Sequence, residues 1–229
     1  MKLLMENWRK FISEEEIEEA ALGMGEGGLN ELGDISFSIE KDDGEYTIVP
    51  RDGQGNDMGF FDLDGAHLDC GYYQTHSHLD DPSSKLGPFA YDLLIELGTL
   101  LGGWVAPSGH PSGATYEKKA GENAISVWIH YYEKRNDLQK RPIELDGNCW
   151  LQKDRTRVNT LSKLQNRHPE KYMQVMTAIL HKYQKKPIFL SQLKKMGKLE
   201  APDDILNKIP GETPQQPKQF KLSFDKKER

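Results

Sequence analysis

Histidine and carboxylate side chains gather in the stretch HLDCGYYQTHSHLDD, which runs from residue 67 to residue 81. His76 and His78 are two residues apart, and in a β-strand this spacing places both imidazoles on one face. Imidazole titrates near neutral pH, so either histidine could act as a general base that removes a proton from an amine. Imidazole is also a zinc ligand, so the same two residues predict, as an alternative, a zinc site.

A second candidate site lies a few residues later, where the polar turn SSKLGPF leads into an apolar segment. Gly87 suits a tight turn, and Pro88 suits the first turn of a helix. The free amides and the dipole at a helix start favour an anion such as phosphate. The pattern leaves two alternatives open: the turn binds phosphate, or it only begins a core helix.

The elements that must position these residues are predicted from periodicity and turn signals. Apolar residues at helical spacing from Phe89 to Trp104 predict a helix buried against a sheet and ended by Gly102-Gly103. Asp92 and Glu96, four residues apart, are interpreted as the polar side of that helix. An Asp-Gly pair at 43–44 predicts a β-hairpin. Strands are expected near 35–40, 45–50, 58–63 and 70–79, with a short one in WVAP, and further helices at 122–137, 168–186 and within 187–206.

Composition and charge exclude several classes of protein. The net charge of the 229-residue chain is −6, which argues against a general nucleic-acid binder. No apolar run reaches the roughly 20 residues that span a bilayer, so we expect no membrane partner. The two cysteines, Cys70 and Cys149, do not make a disulfide framework, and we expect unlinked thiols in a reducing cytoplasm.

Two segments resemble proteins of tailed bacteriophages that are described as similar to GNAT acyl-CoA N-acyltransferases. KLGPFAYDLLIE, residues 85–96, resembles their G-x-G-P-L-x-Y-D segment, and ENAISVWIHYYEKRND, residues 122–137, resembles their A-x-x-V-W-x-x-Y-Y-x-x-R-x-D helix. The resemblance implies an α/β (α+β) fold, with a GNAT-like mixed, mostly antiparallel sheet and helices packed on it. It also implies acetyl-CoA as cofactor, with the pyrophosphate held at Ser84, Lys85, Leu86, Gly87, Phe89 and Ala90.

The resemblance implies catalytic roles as well. Tyr131 or Tyr132 would lie near the thioester as the general acid for the departing thiolate. Independently of the resemblance, His76 or His78 would accept the proton of the amine, since histidine titrates near neutral pH. We therefore expect transfer of an acetyl group to an amine of a protein or small molecule. The alternatives are a non-catalytic virion or head-interior protein that keeps the fold, and a zinc-dependent hydrolase that uses His76 and His78.

The first helix, MKLLMENWRKFISEE, resembles the capsid-targeting peptides of phage proteins that are packaged into the prohead. This resemblance implies capsid or scaffold partners, cleavage after Glu26, and a location in the host cytoplasm or the virion. The glycine-rich stretch that follows is predicted to be a flexible linker. The expected division is 1–30 for helix and linker, 31–146 for the core, 147–209 for a helical extension and 210–229 for a disordered tail.

Overall fold

The computed structural model describes residues 29, 32–65, 71–81, 86–107, 127–143, 166 and 169–211. The predicted N-terminal helix, its cleavage site, both cysteines and the tail from residue 212 lie outside these ranges. Three expectations therefore stay predictions: the targeting peptide, the free thiols and the disordered tail.

Four antiparallel strands form the first half of a sheet. They are β1 (Ser36–Asp42), β2 (Glu45–Arg51), β3 (Gly59–Asp64) and β4 (Tyr72–Leu79). Each pairs with the next, and the β1–β2 turn places Asp43 and Gly44 at φ values of 39° and 89°. Positive φ at both positions is what a two-residue hairpin turn requires, which explains the Asp-Gly pair. The four predicted strands are confirmed.

A single buried helix connects β4 to a parallel neighbour. Helix α1 (Leu86–Leu100) leads through Gly102, at φ 86°, to β5 (Val105–Pro107), which pairs in parallel with Tyr72–Gln74 of β4. The helix lies so close to β5 that a methyl group on Gly98 would collide with Val105. The predicted helix, its glycine stop and the short strand are confirmed.

The next elements complete one edge of the sheet. Helix α2 is described over residues 127–133 and precedes β6 (Gln139–Pro142). Helix α3 (Pro169–Ile179) then leads into β7 (His181–Gln184), which lies between β5 and β6 and is antiparallel to both. The prediction of one helix over 168–186 is wrong in its last part. Tyr183 continues the helical stripe in the sequence, but its strand neighbours in the sheet decide its conformation.

The last described elements lead to the opposite edge of the sheet. Helix α4 (Ile188–Lys195) is followed by β8 (Leu199–Glu200), which pairs in parallel with β1, and by α5 (Asp203–Leu206). The strand order is β6-β7-β5-β4-β3-β2-β1-β8. The predicted α/β (α+β) class with a mixed sheet is confirmed. The sheet is not purely antiparallel, because β4–β5 and β1–β8 pair in parallel, and the GNAT-like fold stays a prediction. Residues 147–209, expected to be a helical extension, contribute β7 and β8 to the same sheet as the predicted core.

The core lies between one face of the sheet and α1. Phe37, Ile48 and Leu63 from the strands pack against Phe89 and Leu93 of the helix, and all five side chains are buried. Helix α1 is buried around its whole circumference over residues 89–98, because α4 covers the side that the sheet does not. Among the described residues, no helix combines the length and apolarity needed to cross a bilayer.

Candidate functional site

The two histidines lie on an exposed stretch of β4. His76 and His78 have side-chain exposures of 80% and 60%. The Nε2 atom of His78 is 3.2 Å from Oδ1 of Asp80, and its ring packs near the ring of Phe60 on β3. Both imidazoles are therefore accessible to a ligand that approaches this face of the sheet.

A β-bulge interrupts β4 at the position of the first histidine. Phe61 of β3 pairs with Ser77, whereas Leu63 pairs with Gln74, so Asp62 lies opposite two residues of β4 rather than one. A bulge leaves a residue outside the ladder and redirects side chains, and bulges are common beside active sites. Here the extra residue is Thr75 or His76.

Asp62 connects the histidine to the strand on its other side. Its Oδ1 atom accepts a 2.8 Å hydrogen bond from the Thr47 hydroxyl, and its Oδ2 atom is 3.9 Å from Nδ1 of His76. Asp62 lies within β3 and is partly buried, because the strand continues to Asp64. We call Thr47, Asp62, His76, His78 and Asp80 the β4 polar row.

The start of α1 lies directly after this row in the sequence. Of the predicted phosphate-binding residues, Leu86, Phe89 and Ala90 have buried side chains, and Gly87 is partly exposed. Ser84 and Lys85 lie outside the described residues. The buried side chains are compatible with binding through backbone amides alone, which is what the resemblance implies.

The two tyrosines of α2 have different surroundings. Tyr131 is completely buried, and its hydroxyl donates a 2.8 Å hydrogen bond to the carbonyl oxygen of Pro88 in the first turn of α1. Burial raises its pKa well above the ordinary value. Tyr132 is half-buried, with its ring centroid 4.6 Å from that of His181. Neither contact brings these hydroxyls to the β4 polar row, so the general-acid role stays a prediction.

The structure also contains a group of charged residues that sequence analysis did not find. We call it the interior charge cluster; it consists of Asp92, Glu96, Arg135, Asp137 and Lys185. All but Asp137 are buried. Arg135 contacts Oδ1 of Asp92 at 3.2 Å, and its Nε and Nη2 atoms each donate a 2.6 Å hydrogen bond to Asp137. Burial alone would raise the pKa of Asp137, but these bonds lower it below its ordinary value.

Lys185 connects the two acids of α1. Its Nζ atom lies 3.1 Å from Oδ2 of Asp92 and 3.5 Å from Oε1 of Glu96, over the face of the Phe189 ring. Glu96 is fully buried and accepts hydrogen bonds from the backbone amides of Phe189 and Leu190, at 3.1 and 2.9 Å. These amides belong to the first turn of α4, so a side chain of α1 caps another helix. Burial outweighs these contacts and raises the pKa of Glu96 to about 7.

The interpretation of Asp92 and Glu96 as a solvent-facing pair is therefore wrong. Their spacing is typical of an exposed polar side, but the residues around them, PFAYDLLIELG, are apolar on every side of the helix. A helix of that composition is buried all round, and buried charges need partners. That conflict within α1 is the signal that could have indicated an interior ion pair.

No group of three or more histidine, cysteine, aspartate and glutamate side chains suited to a metal ion occurs within the described ranges. His67 and Cys70, which the sequence places near His76 and His78, lie outside those ranges. Comparison with known proteins adds no assignment, because no protein-family model, no curated protein and no solved structure matches the chain.

Proposed function

We propose that this protein is a GNAT-like acyltransferase of phage origin that binds acetyl-CoA between β4, β5 and the start of α1. The observation that carries the proposal is the geometry of the two parallel strands. Tyr72–Gln74 of β4 pairs in parallel with Val105–Pro107 of β5, and β4 continues to Leu79, towards the start of the helix that connects the two strands. The resemblance implies that a CoA arm enters beside such a parallel pair, at the start of the connecting helix.

The position of α1 between β4 and β5 supports the same proposal. Helix α1 is the crossover between the two strands, and its first turn follows β4 after only a short connection. Parallel sheets bind ligands at the carboxyl ends of their strands, and helix starts bind phosphate through free amides. Strand β7 lies between β5 and β6 and is antiparallel to both, so the strands after α1 join the same sheet as β4.

The chemistry would use the β4 polar row. The nitrogen of the acceptor amine attacks the thioester carbonyl carbon, a C–N bond forms, and the C–S bond breaks. His76 accepts the amine proton, with Asp62 and Thr47 orienting the imidazole. The CoA thiolate leaves and takes a proton from solvent or from a tyrosine. The acceptor is an amine of a protein or a small molecule.

One observation favours the second candidate function, a non-catalytic virion protein that keeps the fold. The Tyr131 hydroxyl, expected to act as an acid, is buried and already bonded to Pro88. A tyrosine in that setting joins two helices rather than donating a proton. In this alternative, α1 is only a core helix and the N-terminal segment directs the protein to the capsid.

Titration calorimetry with acetyl-CoA and with desulfo-CoA separates the two functions. Binding of both ligands supports a CoA site at α1, and release of free thiol with an amine acceptor supports turnover. The Lys85→Glu variant is expected to weaken binding, whereas Lys208→Glu, at an exposed position beyond α5, is the matched control. No heat at millimolar acetyl-CoA would exclude the enzyme and leave the non-catalytic protein.

A further inference from the structure

The first half of the sheet has two faces with different side chains. On one face, buried residues such as Phe37 and Leu63 pack towards α1. Side chains alternate along a strand, so the residues between them point to the other face. There, Glu40, Thr47 and Asp62 are directly opposite one another on β1, β2 and β3. This second face is the one that also presents the β4 polar row.

The second face carries many more acids than bases. Arg51 is the one lysine or arginine at an outward position of the described strands β1–β4 and β8. Asp42 and Glu45, both exposed, are directly opposite each other on β1 and β2. Like charges at opposite positions destabilise a sheet, so cations from a partner would be favourable here. We call this surface the acidic face, and its carboxylates are those of Glu40, Asp42, Glu45, Asp57, Asp62, Asp64, Asp80 and Glu200.

Arg51 shows that this face binds a guanidinium group. Its Nη2, Nε and Nη1 atoms lie 3.1 Å from Glu40, 3.0 Å from Asp57 and 3.3 Å from Glu200. These three carboxylates come from different segments of the chain, and their side chains are 59%, 66% and 81% exposed. A guanidinium has its donors in a planar fork and suits carboxylates well. Three negative charges share one positive charge, so the group keeps two excess negative charges that attract further cations.

A buried hydroxyl lies beneath the Arg51 side chain. Ser38 of β1 is directly opposite Glu200 and is 4% exposed, and its Oγ atom has no hydrogen-bond partner within the part of the chain that the structure describes. Arg51 starts opposite Ser36 and reaches Glu40 further along β1, so its side chain passes over Ser38. A buried hydroxyl without a partner is unfavourable. A ligand that displaces the Arg51 side chain would gain a hydrogen bond with Ser38.

An exposed aromatic ring extends the acidic face towards β4. Phe60 is 38% exposed, and its ring centroid is 6.0 Å from that of His78, whose imidazole contacts Asp80. An aromatic ring attracts cations and packs on the methylene groups of lysine and arginine. The described carboxylates of this face do not converge as ligands of a metal ion do. A ligand with several separate cations on aliphatic stems therefore fits the face better than one inorganic ion.

We propose that the acidic face binds a segment of polypeptide rich in lysine and arginine. Adjacent strands are about 4.8 Å apart, so the strands from β8 to β4 span about 19 Å. An extended segment of about six residues crosses that distance at about 3.3 Å per residue. Its cations would contact the acids of β8 and β1 at one end and those of β3 and β4 at the other, with one of them in place of Arg51. The proposal goes beyond the proposed function and does not depend on it, because binding of the segment requires no acetyl-CoA.

Fluorescence anisotropy with the full chain tests this docking. The probe is a labelled hexapeptide of alternating lysine and arginine with blocked ends, and a serine–glycine hexapeptide is the negative probe. Binding should be saturable at about 150 mM salt, where distant charges are screened. The double variant Glu40→Gln/Glu200→Gln should weaken binding by about tenfold or more, because charged hydrogen bonds are lost.

The matched control is the double variant Glu133→Gln/Asp203→Asn. It removes two charges at exposed positions that lie outside the acidic face. The affinity for the peptide should change by less than about twofold, since these charges are screened from the bound segment. Equal weakening in the two double variants would mean that only the net charge of the protein attracts the peptide, and would overturn the proposal.

Ser38→Ala separates a built site from general attraction between charges. The variant keeps every charge of the acidic face and is expected to weaken peptide binding by about twofold to tenfold, because one hydrogen bond is lost. Unchanged binding in this variant would show that the face is only solvated charge, and would overturn the proposal.

Two other occupants would also overturn the proposal. Displacement of the peptide by calcium or magnesium at or below about 1 mM, at constant ionic strength, would make the ligand an inorganic cation. Sedimentation velocity tests the second occupant. A dimer that is lost in Glu40→Gln/Glu200→Gln would make the occupant a second copy of this chain.

Discussion

The interior charge cluster and the β4 polar row contain the same kinds of side chain in opposite environments. Glu96 and Asp92 are buried beside Arg135 and Lys185, whereas His76 and His78 stand in water beside Asp62 and Asp80. In the interior, each charge depends on a specific partner, because solvation is lost. On the surface, water replaces any partner, and the contacts contribute little to stability. The charges of the cluster therefore depend on one another, whereas the histidines of the row are accessible and should be replaceable at little cost in stability.

The largest effect is expected when the cluster loses Asp92, the buried acid that contacts both of its cations. Asp92→Ala leaves Arg135 and Lys185 buried with one fewer carboxylate, which should lower the free energy of unfolding by about 3–5 kcal/mol. Asp57→Ala removes an exposed partner of Arg51 and is the matched control. Urea unfolding of both variants measures the difference. If Asp92→Ala lowered the free energy of unfolding no more than the control, the cluster would be solvated and would not differ from the β4 polar row.

The dependence of stability on pH is the second expected effect. The pKa of Glu96 is raised to about 7 in the folded protein, so the folded state binds this proton more tightly than the unfolded state. The contribution of Glu96 to the free energy of unfolding is most favourable below the ordinary pKa of 4.5. It decreases as the pH rises towards 7 and is constant at higher pH. At about 1.4 kcal/mol per pKa unit, the rise of the pKa from 4.5 to about 7 corresponds to a total decrease of about 3–4 kcal/mol.

Urea unfolding between pH 5 and pH 8 checks this effect. Stability of the wild type should fall over that range relative to Glu96→Gln, and the two curves should run in parallel above pH 7.5. The opposite slope, with the wild type gaining stability as the pH rises, would show that Lys185 and the two amides dominate over burial.

The sequence predicted the local elements well and the long-range ones poorly. The hairpin at Asp43-Gly44 and the stop at Gly102 were predicted because each depends on the conformation of one or two residues. Strand β7 was missed because His181–Gln184 becomes a strand only through its neighbours β5 and β6. Strand β8 was missed because two residues carry no periodicity.

The same distinction applies to the candidate sites. The histidine pair of the β4 polar row could be predicted, since His76 and His78 lie two residues apart in one strand. The contacts of Asp62 with Thr47 and His76 could not, since they depend on how three strands pair. The interior charge cluster brings together α1, the segment after α2 and Lys185, which is 89 residues beyond Glu96. No local pattern contains that contact. Only the contradiction between an apolar helix and its two acids could have indicated that partners come from elsewhere, and the sequence analysis interpreted those acids as a polar side instead.

Tyr131 is expected to stabilise the fold, as the interior charge cluster does, rather than to take part in chemistry. Tyr131→Phe removes the hydrogen bond to the Pro88 carbonyl and should lower the free energy of unfolding by about 1 kcal/mol. Tyr132→Phe, at the adjacent half-buried position, is the control and should change little. Thermal unfolding measures the stability, and the thiol-release assay measures any acetyl transfer. A variant of unchanged stability whose acetyl transfer is lost would assign Tyr131 to chemistry instead of to the fold.

The smallest effect on stability is expected at the β4 polar row. His76→Gln and His78→Gln replace exposed side chains, so each should change the free energy of unfolding by about 0.5 kcal/mol or less. If His76 is the general base of the proposed transferase, His76→Gln should also lower acetyl transfer by about 100-fold or more. His78→Gln should have a smaller effect, because its ring contacts Asp80 rather than the Asp62–Thr47 pair. A loss of stability in either variant comparable to that in Asp92→Ala would contradict the comparison, since it would mean that the row also holds the fold together.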